Sequence, residues 1–355
     1  MNTPNETKAI LVLEDGTTFE GASFGAEGEV FGEAVFFTGV VGYQEVLTDP
    51  SYRDQLIVMS YPLIGNYGIN SLDNESDSTH PKAIIIKELS SIYSNWLAKG
   101  SLEDFMKKNG VLGIQGLDTR SLVVHIRDKG EMWGALSTQD LDQKSLLKKL
   151  SAAKNAKATN SVAAVSVKKA QTLKSKKKAA KTVAVLDLGM GESLLKLIID
   201  SGYEIVKLPF DSSAAELLKL NPKAIILSPG PGNPDDLKSV ADEVKSLLGK
   251  KPVFGIALGA CVLALSLGCR TKKLKCGHHG ANQPVKNIKT KRSDITHQNH
   301  SYVIDEKGLA PGVEISYVNL NDGSAEGFRA KSGKASGIHF IPNDLKEFEE
   351  LLKHA

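Results

Sequence analysis

The chain has 355 residues, 41% hydrophobic and 24% charged, which is too long for one ordinary core and excludes a disordered or collagenous protein as a whole. The net charge of +3 hides an asymmetry, because residues 143 to 186 hold twelve Lys and no Arg, Asp or Glu. Without that stretch, 32 basic residues face 41 acidic ones and the remainder carries −9.

In chain order, Ile10 to Gly21 reads as two short strands around an Asp15-Gly16 turn, and Glu33 to Val46 continues in strand-like style. Ser101 to Gly110 has a Ser start and a Gly stop, which predicts a short helix. Residues 1–152 are expected to be an α+β domain. Residues 153–181, rich in Lys, Ala and Ser and poor in aromatics, are expected to be a solvated linker. A polybasic run can bind phosphate backbones, but no aromatic stacking residue or recognition motif accompanies it, so no nucleic-acid partner is expected.

Residues 182–355 change to regular alternation. Thr182 to Leu188, Glu204 to Leu208, Ala224 to Leu227 and Val253 to Ile256 are apolar strands. Between and after them Glu192 to Asp200, Ala214 to Leu220, Leu237 to Leu248 and a stretch from Leu258 have helical character. Successive βα units predict an α/β domain with a mostly parallel sheet covered on both faces. Ligands of such sheets sit at the carboxyl ends of strands, where two loops stand out.

The first loop is Ser228 to Pro234, whose glycines let backbone N–H groups approach an anion, although a rigid turn accounts for the same residues. The second, Gly255-Ile256-Ala257-Leu258-Gly259, has the spacing of a strand-to-helix elbow that presents a nucleophile beside an oxyanion hole. Its central residue is Ala257, which has no nucleophile, so a tight βα turn is an adequate reading as well.

Several motifs occur in one order from about Leu11 to near Pro342. They are Gly42 to Glu45, Leu47 to Tyr52, Tyr61 to Gly68, Asp118-Thr119-Arg120, Ser228 to Gly232, Lys275 to Gly280 and Gln298-Asn299-His300. Together they resemble the small, glutamine-handling subunit of carbamoyl-phosphate synthetase. The resemblance implies an amino-terminal domain that docks on a large synthetase subunit as a heterodimer, and a carboxyl-terminal class I glutamine amidotransferase domain. In that family an elbow Cys attacks glutamine, a His followed by Pro and Glu supplies the base and its orienter, and ammonia passes through a tunnel to the large subunit. ATP, Mg and bicarbonate are expected on the large subunit, whose product serves arginine and pyrimidine synthesis. No P-loop is present here, so no cofactor is expected in this chain.

The chain departs from the family pattern at the chemistry. The positions matching nucleophile, base and orienter are Ala257, Ile341 and Asn343, the last two placed by the shared Pro342. A thiolate attack needs a sulfur and a nearby base. The expectation is therefore a subunit without glutaminase activity that supports a large subunit using free ammonia. Of the glutamine-contacting positions, Ser51, Gly230, Gly232, Leu258 and Asn299 match the family, Ser301 and Tyr302 replace a Gly and a Phe, and Cys261 replaces a Gln. L-glutamine thus stays a candidate ligand of a vestigial pocket. Two readings compete: a displaced Cys261/His339 pair that still hydrolyses glutamine, each residue roughly 6 Å from the family position, and a non-catalytic scaffold or regulatory module.

Cys261, Cys269 and Cys276, an odd number clustered late, argue against a disulfide framework. Cys276-Gly277-His278-His279 lacks the spacing of a zinc site, and no metal is expected. Apolar runs are only strand-sized and no basic-then-apolar leader opens the sequence, so the expected place is the cytoplasm, away from membranes.

Overall fold

The computed structural model describes residues 7–156, 160–177 and 181–353. The chain divides into two compact units between residues 159 and 160. No helix among the described residues is long and apolar enough to cross a membrane.

The first unit is a closed barrel of seven strands, Lys8–Leu13, Thr18–Gly25, Leu112–Gln115, Ala83–Ile85, Leu56–Met59, Glu29–Phe37 and Met132–Ser137, in that neighbour order. Closure leaves no free sheet edge among them. The expected hairpin forms with Val12 opposite Thr18, and Gly16 takes the positive φ of 90° that its turn requires. The expected helix is Leu102–Asn109, started by the Ser101 hydroxyl accepting from Asp104 N–H and stopped by Gly110 in the left-handed region.

Glu33 to Val46 is only half strand. The strand ends at Phe37, and Tyr43–Thr48 is a short helix whose six residues leave little local preference to read. Long-range contacts hold it instead: the Tyr67 hydroxyl accepts from Gly42 and Tyr43 N–H, and Gln44 pairs with both the carbonyl and the N–H of Asn70.

Residues 153–181 are not the bare solvated tether that their composition predicts. The helix Gln143–Asn155 runs past residue 152, and its Leu146 and Leu150 are buried with Ile10, Val12 and Ala135. Farther on, Val162 in the helix Ser161–Val165 joins the core of the second unit. Strand Gln171–Leu173 pairs antiparallel with Tyr203–Pro209 at the sheet edge. Sparse apolar residues among the lysines are enough to fasten the segment, because each exposed Lys leaves its apolar neighbours free to face a core. Residues 157–159 and 178–180 lie outside the described part.

In the second unit five strands run parallel, in the order Tyr203–Pro209, Lys181–Asp187, Ala224–Leu227, Val253–Ile256 and Ala335–Ile338. Helices cover them, and apolar residues on the two sheet faces form separate cores around Leu186 and Leu227 on one side and Val185 and Phe254 on the other. The parallel expectation covers this part of the sheet. The strands Ala325–Ala330, Val313–Asn319, Thr271–Asn287, Ser293–Ile304 and Phe340–Ile341 extend it by antiparallel pairing. This wing places the later site positions next to the elbow.

Candidate functional site

The elbow is built as its glycines predict. Strand Val253–Ile256 ends at Ala257, which adopts φ 50° and ψ −113° immediately before the helix Leu258–Ser266. That conformation is sparsely populated for a residue with a Cβ and costs on the order of 1–3 kcal/mol. Surroundings hold it there. Ala257 N–H donates to Ile338 O at 2.8 Å, a Cβ on Gly255 would lie 2.6 Å from Ala260 Cα, and one on Gly259 would lie 2.1 Å from Leu227 O.

The two singled-out loops meet here. Gly259 N–H donates to Ser228 O at 3.2 Å, while the Ser228 hydroxyl accepts from Leu188 N–H and donates to Pro229 O. Gly230 sits so close to the neighbouring strand end that a Cβ would meet Leu188 O at 2.0 Å, and Gly232 has φ 96°. The tight backbone packing that such an elbow requires is therefore present, and Ala257 offers only a methyl group at its centre.

Ile341 lies half-buried in strand Phe340–Ile341 opposite His297, and Asn343 is exposed just after Pro342. Neither can take a proton from a thiol. Asn299 and Ser301 lie side by side in strand Ser293–Ile304, buried, with Asn299 Nδ2 and Ser301 Oγ lacking hydrogen-bond partners. Asn299 Oδ1 faces His279 Nδ1 at 2.7 Å. Ser51 belongs to the first unit, in a 3-10 turn capped by Asp49, whose carboxylate accepts from Ser51 N–H.

The structure brings Cys261 and His339 together: Sγ lies 3.9 Å from Nδ1, and both residues are 0% exposed. Their protonation runs against catalysis. Burial, with the Glu326 charge behind it, pushes the Cys261 thiol far above its ordinary range. Burial, with His300 nearby, pushes the His339 imidazole down to about 3. His339 Nε2 accepts from Ile304 N–H at 3.3 Å, so in the neutral ring the proton sits on Nδ1, the nitrogen that faces the sulfur. That nitrogen has no lone pair with which to take the thiol proton. The thiol in turn is directed at Tyr302 O, 3.7 Å away.

Beside this pair lies a polar cluster that motif reading did not assemble. His278 Nδ1 stands 2.8 Å from Glu326 Oε1, and His278 Nε2 stands 3.0 Å from Asp322 Oδ2. Burial alone would lower the His278 pKa, but the two carboxylates override it and hold it up at about 9. Glu326 is fully buried, yet His300 and His278 keep its carboxyl well below the usual range. His278, His300 and Glu326 come from three strands and Asp322 from a turn, and Glu326 belongs to no motif, so spacing along the chain carried no signal for the group.

Comparison with known proteins identifies the family of each half of the chain. Residues 11–136 match the family described as carbamoyl-phosphate synthase small chain, CPSase domain, and residues 184–343 match glutamine amidotransferase class-I. The carbamoyl phosphate synthase small chain of Aquifex aeolicus is 42% identical over 347 residues, covering 95% of this chain and 94% of that protein. The chain belongs to the carbamoyl phosphate synthase small chain family. The small chains of Clostridium perfringens and Archaeoglobus fulgidus are each 39% identical, covering 98% and 94% of this chain and 99% and 93% of those proteins. Within the small-chain fold, the second unit is thus a class I amidotransferase domain with the elbow at Ala257.

Proposed function

We propose that this small chain has lost its own glutaminase and serves a carbamoyl phosphate synthase large chain that takes its nitrogen from free ammonia. The observation that carries this reading is Ala257 at the elbow, held in the strained nucleophile geometry with no atom able to attack a carboxamide. Ile341 and Asn343 support it, since neither replaces a base or a carboxylate. ATP, Mg and bicarbonate are then handled by the large chain. Large apolar side chains left exposed in the first unit, Ile92 at 75% and Trp96 at 90%, favour a protein partner over an isolated subunit.

The second reading, a working Cys261/His339 pair, rests on their 3.9 Å approach. Full burial, a raised thiol and the proton on the facing nitrogen all weigh against it. The test is carbamoyl phosphate synthesis by the complex with a large chain, fed with either glutamine or an ammonium salt. Ammonium should support synthesis and glutamine should not. Glutamine-dependent synthesis abolished by Cys261→Ala would overturn the proposal. Rebuilding gives a second check: Ala257→Cys alone should stay silent, and activity should emerge only with Ile341→His and Asn343→Glu added, because triad members act as a unit.

A further inference from the structure

The cluster around Glu326 has a donor set that the amidotransferase reading does not use. His278 and His300 are register partners across strands Thr271–Asn287 and Ser293–Ile304, their rings 5.1 Å apart and nearly perpendicular. Glu326 enters from strand Ala325–Ala330. Ligand atoms of the three, a ring nitrogen each of His278 and His300 and a carboxylate oxygen of Glu326, lie within 4.8 Å of one another, and His278 Nδ1 and His300 Nε2 are the nitrogens that face the carboxylate. Around a tetrahedral zinc ion with bonds near 2.0–2.1 Å, ligand atoms stand about 3.3 Å apart. Each histidine faces its own oxygen of the Glu326 carboxylate, His278 Nδ1 at 2.8 Å from Oε1 and His300 Nε2 at 3.5 Å from Oε2, so the carboxylate spans both rings at separations near that value.

Further contacts surround these three residues. Glu326 Oε2 is fully buried and, among the described residues, faces only His300 Nε2, at a long 3.5 Å, which is a sparse environment for a carboxylate oxygen. His278 Nε2 faces the Asp322 carboxylate at 3.0 Å, the arrangement by which a metal-bound histidine is oriented through its other nitrogen. Asn319, whose Oδ1 is committed to Asn321 N–H, turns its Nδ2 donor toward both Glu326 Oε1 and His278 Nδ1, at 3.2 and 3.3 Å. Gln298 donates its Nε2 to Thr296, which leaves its Oε1 facing His300 Nε2 at 3.3 Å, where a fourth ligand belongs.

We propose that His278, His300 and Glu326 form a buried binding site for a divalent transition-metal ion of the zinc class, with Gln298 beside the fourth position. The ion replaces the proton between His278 Nδ1 and Glu326, and that proton leaves to solvent. Its role is structural: it ties three strands of the antiparallel wing together beside the elbow helix.

The test uses the full chain, stripped with a chelator, reloaded with zinc sulfate alone and desalted. Metal analysis should find close to one zinc per chain, and thermal unfolding should move to higher temperature with zinc. Glu326→Gln and His300→Asn should each lose the bound zinc, while Cys276→Ser should keep it. Because the buried substitutions can unfold the domain, cobalt(II) loading of the unmodified protein gives an independent readout. Visible ligand-field bands without a thiolate charge-transfer band are expected. No retained zinc, a thiolate band, or equal zinc in wild type and a folded Glu326→Gln would overturn the site and leave a proton-bridged ion pair in its place.

Discussion

The elbow at Ala257 and the cluster at Glu326 belong to one sheet, with strand Ala335–Ile338 between the strand that leads to the elbow and the strand of Glu326, but they are held together in opposite ways. At the elbow, shape is kept without reactive groups: Gly255, Gly259 and Gly230 let backbones approach where any Cβ would collide, and Ala257 stays at φ 50°. At the cluster, charge is kept without solvent: Glu326 is fully buried against His278 and His300. At the elbow the backbone geometry is fixed by close packing around glycines and does not depend on the side chain at its centre. Buried charge has no such independence, because each group is tolerable only while its partner remains.

The largest expected effect tests that dependence. Glu326→Ala leaves His278 and His300 buried without their shared carboxylate, and removing one partner of a buried charged pair costs about 3–5 kcal/mol. Denaturant unfolding of the metal-free protein measures it. A loss under about 1 kcal/mol would place the cluster in the same class as an exposed ion pair.

Next comes Gly259→Ala, whose Cβ would fall 2.1 Å from Leu227 O, a backbone atom that cannot swing aside. Overpacking of this kind costs about 1–3 kcal/mol, and here the upper end applies. The same denaturant series reads it. An undisturbed midpoint would mean that the elbow helix shifts freely, and the packing account of the elbow would fail.

The His339 imidazole sharpens the comparison through pH. Its folded pKa is about 3 and its unfolded value about 6.5, so between these the unfolded chain takes up a proton that the folded chain refuses. Stability is therefore full above pH 6.5 and falls as pH drops toward 3, by up to about 1.4 kcal/mol per unit from this residue. Unfolding of His339→Gln across that window should show a shallower acid slope than wild type. Identical slopes would assign the acid loss to other groups.

How much of this was legible in the sequence differs between the two regions for a physical reason. The elbow could be read because Gly255-Ile256-Ala257-Leu258-Gly259 packs its steric requirement into five consecutive residues after an apolar strand. The helix Glu192–Asp200 and the strand Val253–Ile256 were readable too, since their periodicity is local. The short helix Tyr43–Thr48 was not, because Tyr67 and Asn70 make it, from more than twenty residues away. The lysine-rich stretch misled because composition reports solvation and misses single anchors such as Val162. Glu326 was invisible because its partners His278 and His300 belong to other strands. The site positions at Ile341 and Asn343 came from family resemblance and Pro342, not from any pattern in those residues.

The smallest effect is expected at the residue that defines the site. Ala257→Gly removes the Cβ that makes φ 50° with ψ −113° unfavourable, and relief of such strain is worth on the order of 1–3 kcal/mol at most. Against this, glycine adds unfolded-state freedom worth about 0.4–1 kcal/mol, and the buried methyl group, only 2% exposed, loses its contacts. The two sides nearly cancel, so Ala257→Gly should change stability by less than about 1 kcal/mol of either sign. Ala257→Val should behave differently, since a β-branched side chain tolerates positive φ worst, and a loss exceeding that of Gly259→Ala would reverse the ranking. If Ala257→Gly instead gains several kcal/mol, the strain at the elbow is larger than packing alone explains, and some interaction specific to Ala257 must be holding it there.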